Sequence, residues 1–129
     1  MSLTAEVPLR TTFTWVPRQA DFDAFAKLSG DDNPIHVDPD FSARTRFGKT
    51  VAHGALLCSV LRGLIEELAP GARQLRQSTM YPAPSPAGMP LRFEAETISQ
   101  TPEKMTISLK VTRLDDGETT CVGETEIAR

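Results

Sequence analysis

The sequence predicts an α+β fold in which a curved antiparallel sheet of about five strands wraps one long apolar helix. Two hydrophobic periods predict it. Between Gly54 and Ala69 apolar residues recur at helical spacing: Leu57, Val60, Leu61, Leu64, Ile65 and Leu68 make a wide stripe that Ala55 and Leu56 broaden. From Leu91 onward the period becomes 2, as Leu91, Phe93 and Ala95 alternate with Arg92, Glu94 and Glu96. Met105, Ile107, Leu109 and Val111 then alternate with Thr106, Ser108, Lys110 and Thr112. Residues 29–50 follow neither period.

Taken in order, residues 9–16 (LRTTFTWV) are β-branched and aromatic and stop at Pro17, a short strand. From Gln19 to Leu28, Phe22, Phe25 and Ala26 share one face opposite Asp21, Asp23 and Lys27, and Gly30 supplies a C-terminal stop: a short amphipathic helix. The segment 29–50, SGDDNPIHVDPDFSARTRFGKT, reads as an irregular excursion, because Asn33-Pro34 and Asp38-Pro39 disfavour helix before each proline. Ile35, Val37, Phe41 and Phe47 favour an ordered loop with a helical turn around Phe41 to Arg44. Pro70-Gly71 ends the long helix, a strand is expected over 74–81, and the prolines of 82–90 make a rigid loop. Strands at 92–99, 104–114 and 119–128 are joined by turns at Thr101-Pro102-Glu103 and Asp115-Asp116-Gly117. A lone sheet has exposed edges, which a second copy of the chain is expected to cover in a homodimer.

Length and composition bound the function. With 129 residues, 40% of them hydrophobic and 24% charged, a single domain over 1–129 is expected, with the excursion at 29–50 as its active-site loop. A net charge of −3, from 14 basic against 17 acidic residues, argues against a nucleic-acid partner. The apolar stretch from Val51 to Leu68 is broken by His53, Arg62, Glu66 and Glu67, which argues against a membrane span. Cys58 and Cys121 have no metal-ligand spacing, and without a signal-peptide pattern they read as reduced thiols of a cytoplasmic protein, Cys58 as part of the core.

Chemistry concentrates in residues 29–36, where two carboxylates, an amide and one of two histidines stand together. A histidine, with its ordinary pKa of about 6.5, accepts a proton near neutrality, and Asp31 or Asp32 beside His36 could orient a water or give up a proton. Such an acid-base pair suits adding or removing water. His53-Gly54 opens the long helix, whose first N–H groups are unpaired and partly positive, so a substrate carbonyl could approach Gly54 closely. Plainer readings exist: Asp-Asp-Asn-Pro is also turn chemistry, His53 could cap or pack, and the glycines could serve turns. No metal site is expected, because the acidic spacing does not fit a calcium loop and the cluster holds a single histidine.

The run from Phe25 to Asp38, FAKLSGDDNPIHVD, followed by Phe47-Gly48 and Val51-Ala52-His53-Gly54, closely resembles the signature of MaoC-like (R)-specific enoyl-CoA hydratases. The resemblance implies the hot-dog fold, with a sheet wrapped around a central helix over about 54–69, and covers nearly the whole chain. It implies reversible syn addition of water to a trans-2-enoyl-CoA, giving the (R)-3-hydroxyacyl-CoA. By position, Asp31 and His36 are the catalytic pair, Asn33 holds the loop or the water, and the Gly54 amide donates to the thioester carbonyl. The acyl-CoA is substrate and no cofactor is implied. The chain departs from the family pattern in having Tyr81 where many members carry Phe, in lacking an acid after Gly88, and in carrying Arg62 on the helix. An acyl-CoA thioesterase and a non-catalytic acyl-thioester-binding module are the alternatives on the same fold. A thioesterase would place its acid on the central helix, leaving the loop motif unexplained.

Overall fold

A computed structural model describes residues 9–129, so the first eight residues of the expected domain lie outside the described residues. The elements are β1 (Arg10–Trp15), α1 (Gln19–Ser29), α2 (Pro34–Val37), α3 (Pro39–Ala43), α4 (Gly54–Leu68), β2 (Gln74–Met80), β3 (Leu91–Gln100), β4 (Lys104–Arg113) and β5 (Thr119–Ala128). All five strands form one sheet in the order β1-β3-β4-β5-β2, and every pairing is antiparallel. Bulges at Thr97/Ser99, Val111/Thr112 and Gln74/Arg76 shift the register of three of these pairings, a device that bends a sheet.

The period-2 pattern works as expected. In β3, Leu91, Phe93, Ala95 and Thr97 are buried on one face, and in β4 Met105, Ile107, Leu109 and Val111 join them. The apolar stripe of α4 lies in this concavity: Leu57, Leu61, Leu64 and Ile65 share one buried cluster with those strand residues and with Cys121 and Ile127 of β5. Each fully shielded side chain such as Leu61, Ile65 or Phe93 contributes roughly 1.5–3 kcal/mol of burial. α4 packs chiefly on β1, β3 and β4, while β2 forms an outer edge of the sheet, with Leu75 and Met80 exposed. Among the described residues, no helix is long and apolar enough to cross a membrane.

The excursion is more regular than the sequence suggested. Two helical turns, α2 and α3, replace the irregular loop and its single turn at Phe41 to Arg44. The reason is the asymmetry of proline, which hinders helix at the residue before it yet is preset for the first turn after it. Pro34 and Pro39 each open a helix, and the preceding Asn33 and Asp38, both outside helical geometry, cap it by accepting the N–H groups of Ile35 and Phe41.

Glycine at position 123 holds the outer pair of strands together. A Cβ there would lie 1.9 Å from the main-chain oxygen of Ser78 on β2, a contact that no side-chain rotation relieves. Gly123→Ala is therefore expected to cost about 3 kcal/mol in a denaturant titration. A variant as stable as the parent would show that β2 does not lie against β5 at this distance.

Candidate active site

The signature loop is built by its own side chains. Gly30 ends α1 in left-handed geometry, φ 84°, with its N–H on the Ala26 carbonyl at 2.8 Å. The Ser29 hydroxyl donates to the Phe25 carbonyl at 2.7 Å and accepts the Asp31 N–H at 3.1 Å. One oxygen of Asp31 accepts the Asn33 N–H at 3.4 Å, and the other lies 3.8 Å from Nε2 of His36. The Asn33 side-chain oxygen takes the Ile35 N–H at 3.1 Å; Asn33 acts on the loop and does not line the neighbouring cavity.

His36 is held from two sides. Its carbonyl accepts from the Gln19 amide at 2.9 Å, and Gln19 in turn accepts the Thr50 hydroxyl. Its Nδ1 stands 2.8 Å from the carbonyl of Val51. A carbonyl only accepts, so Nδ1 carries the hydrogen and the neutral ring presents the lone pair of Nε2 toward Asp31. Val51 is itself fixed, bonded to Ile35 through its N–H and bridged to Pro86 of the proline-rich loop.

His53 precedes α4 as its N-cap, and its ring is 1% exposed. It stacks on His36 with 3.9 Å between centroids and 24° between planes, its Nε2–H donates to the Asp31 carbonyl at 2.9 Å, and Phe25 meets its face edge-on at 4.9 Å. Gly54 follows, and its N–H, in the first turn of α4, has no acceptor among the described residues. A Cβ at Gly54 would lie 2.7 Å from Cζ of Tyr81, so the close approach of that ring requires glycine.

His36, Gly54 and Tyr81 line one cavity of about 350 Å³ together with Val51, Leu57 and Thr120. A larger hollow of about 760 Å³ lies at the far end of α4, around Leu68 to Arg73, away from the signature loop. Asp31, His36 and His53 offer donor atoms within 4.8 Å of one another. They do not suit a metal. A ring nitrogen's lone pair lies in the ring plane, and two stacked planes cannot both aim at one ion about 2.0–2.1 Å away.

An antiparallel sheet packed around one central helix defines a hot-dog protein. The chain belongs to the MaoC-like domain family, which it matches over residues 1–119. An (R)-specific enoyl-CoA hydratase of Aeromonas caviae is 38% identical over 87 residues, 66% of this chain and 65% of that protein. A 3-hydroxybutyryl-CoA dehydratase of Methylorubrum extorquens is 32% identical over 95 residues, 72% of this chain and 60% of that protein. The matched stretch thus spans just under two thirds of each of these curated relatives. Among solved structures, an (R)-hydratase of A. caviae involved in PHA biosynthesis superposes with a TM-score of 0.89 at 28% identity, covering 98% of both chains.

Arg62 on α4 does not line the cavity at the helix start; it reaches Glu66 at 3.4 Å and the carbonyl of Ala72. The expectation of Cys58 as core is not met. Cys58 is half-buried in a polar cluster and not packed in the core: its sulfur lies 3.1 Å from the Tyr81 hydroxyl and 3.4 Å from the Gln77 amide nitrogen. Periodicity places Cys58 on α4 but does not reveal that the loop after β2 returns Tyr81 to it. Hydrogen bonds from Cys121, then from Tyr81, Thr79 and Gln77, outweigh burial and lower the Cys58 thiol to about 5, whereas Cys58 and burial push Cys121 up. Burial and the Cys58 contact raise Tyr81 to about 12.

Cys58 is thus expected to be thiolate at neutral pH. Iodoacetamide at pH 7 should label Cys58 and spare the buried Cys121, and Tyr81→Phe, which removes a donor, should slow the labelling. Peptide mapping by mass spectrometry reads both, and equal labelling of the two cysteines would contradict the arrangement.

Proposed function

We propose that the chain is an (R)-specific enoyl-CoA hydratase, a hydro-lyase that reversibly adds water to a trans-2-enoyl-CoA to give the (R)-3-hydroxyacyl-CoA. The observation that carries this reading is the pairing of His36 Nε2 with Asp31 at 3.8 Å, one helix start away from the unpaired Gly54 N–H. That separation suits a water bonded to both groups.

In the forward direction, His36 Nε2 takes a proton from the water as the oxygen bonds to Cβ, and Asp31 holds the second hydrogen and balances the charge gained by the ring. Negative charge moves to the thioester oxygen, where the Gly54 N–H, backed by the first turn of α4, stabilises the enolate. The proton on His36 then passes to Cα from the face on which the water stood, so hydroxyl and hydrogen arrive syn. The apolar walls at Val51 and Leu57 strengthen these interactions by limiting water. The chemistry so written uses no metal or redox cofactor. Support for hydration over thioester cleavage comes from α4, whose polar side chains are engaged elsewhere: Ser59 donates to Ala55, Glu67 accepts from Thr11 and Glu66 accepts from Gly71.

The working unit in this reading is a homodimer. Edge strand β2 has a side unpaired among the described residues, and its Met80, 65% exposed, together with the exposed Leu75, Tyr81 and Val122 offers apolar surface that a second copy would cover. A cytoplasmic location agrees with two free cysteines.

Hydration of crotonyl-CoA and longer enoyl-CoAs, followed by loss of the enoyl-thioester absorbance, tests the activity. Wild type is expected to turn over and to form the (R)-alcohol, while Asp31→Asn and His36→Ala should each lose on the order of 10²–10⁴-fold in kcat. Inactivity of the wild type at every chain length, or near-parental rates in both variants, would sink the assignment; release of free CoA without hydroxyacyl product would favour the thioesterase.

A further inference from the structure

We propose that His53 is a positioning residue, whose Nε2–H holds Asp31 in register with His36 so that the two act on one water. The inference rests on the hydratase reading for its kinetic consequence and on geometry alone for its structural one.

Three observations converge on it. The first is the 2.9 Å bond to the main-chain oxygen of Asp31, which ties the turn after α1 to the start of α4 across a chain separation of 22 residues. A carbonyl only accepts, so Nε2 is the protonated nitrogen. The second is the stack on His36 at 3.9 Å, which fixes the plane of the base while the Val51 carbonyl fixes its rotation. The third is how the ring is itself held. It is 1% exposed, boxed by Phe22 and Phe25, and its Nδ1 has no partner among the described residues. A buried nitrogen without a partner costs stability, and a purely apolar ring would fill the same box without that cost. The retained histidine is explained by the donor it directs at Asp31.

Without this bond, Asp31 is restrained only by the Ser29 hydroxyl and by its own contact to the Asn33 N–H, both exposed. Its carboxylate, 55% exposed, would then sample positions away from Nε2. Misplacement of a reacting group by about 1 Å can cost 10²-fold in rate. Because His53 is absent from the cavity wall, the loss should fall on kcat and leave KM near its parental value.

Two substitutions separate positioning from space filling. His53→Phe keeps a flat ring and loses the donor; His53→Gln keeps an N–H near the place of Nε2 and loses the flat ring. The expected result is a fall of about 10²-fold in kcat for His53→Phe and recovery to within about 10-fold for His53→Gln, with KM little changed in both. The reverse order, with the phenylalanine variant active and the glutamine variant impaired, would overturn the proposal. Hydrogen exchange supplies a readout independent of turnover: the Asn33, Ile35 and His36 amides, protected by the loop's own bonds, should exchange faster in His53→Phe than in wild type or His53→Gln. Should wild type prove inactive on every enoyl thioester, the hydratase reading fails and exchange decides the positioning role; unchanged exchange in the phenylalanine variant would refute it. If His53→Phe does not fold, His53→Gln decides, and a folded glutamine variant with a 10²-fold lower kcat and faster exchange would refute it as well.

Discussion

Burial of α4 against the concave side of the sheet is the constraint on which the site depends. Leu57, Leu61, Leu64 and Ile65 leave the helix little freedom to slide, because each is matched by buried side chains of β3 and β4. The first residues of the helix inherit that fixed position. His53, immediately ahead of it, carries the position outward to Asp31 through one hydrogen bond and to His36 through one stack. The proposed reacting groups thus stand on a loop but are located by the core.

In the proposed reaction the same helix start serves two opposite needs. It must be buried, so that its amide dipoles act in a medium of low polarity, and it must leave one N–H unpaired. Glycine at position 54 reconciles them, since a side chain there would collide with the Tyr81 ring that shields the turn. Tyr81 in turn is anchored through its hydroxyl to Cys58, one turn further along α4. The proline-rich loop that carries Tyr81 is pinned by Ser85 and Pro86 to Ala52 and Val51. Its rigidity therefore bears on the geometry of the signature loop as well as on the cavity wall.

Much of this was legible in one dimension. The periods of 3.6 and 2 placed α4, β3, β4 and β5 nearly to the residue, because a side chain's alternation between core and solvent is a local consequence of backbone geometry. Residues 29–36 drew attention for a different reason: a dense run of polar residues in a chain of this size marks a segment that the core does not explain, and the family resemblance then singled out Asp31 over Asp32 beside His36. Misreadings came where one residue type has two local outcomes. Pro34 and Pro39 read as breakers, yet each opens a helix, because proline hinders helix only at the residue before it. Cys58 read as core because its neighbours on the helix are apolar, and its polar partners, Gln77 and Tyr81, come from 19 and 23 residues away.

The sequence by itself determined the class of fold, the helix that anchors it and the residue types available for chemistry, since these follow from periodicity and from side-chain pKa. Only the tertiary structure decided which nitrogen of His36 bears the lone pair, that the two histidines stack, and that Asp31 faces one of them while its carbonyl receives the other. The bonds of the two histidine rings to Val51 and Asp31 join residues 15 and 22 apart, closed by packing of the helix start against the loop. No local rule of spacing encodes them, because a hydrogen bond's partner is chosen by where the core brings the chain back.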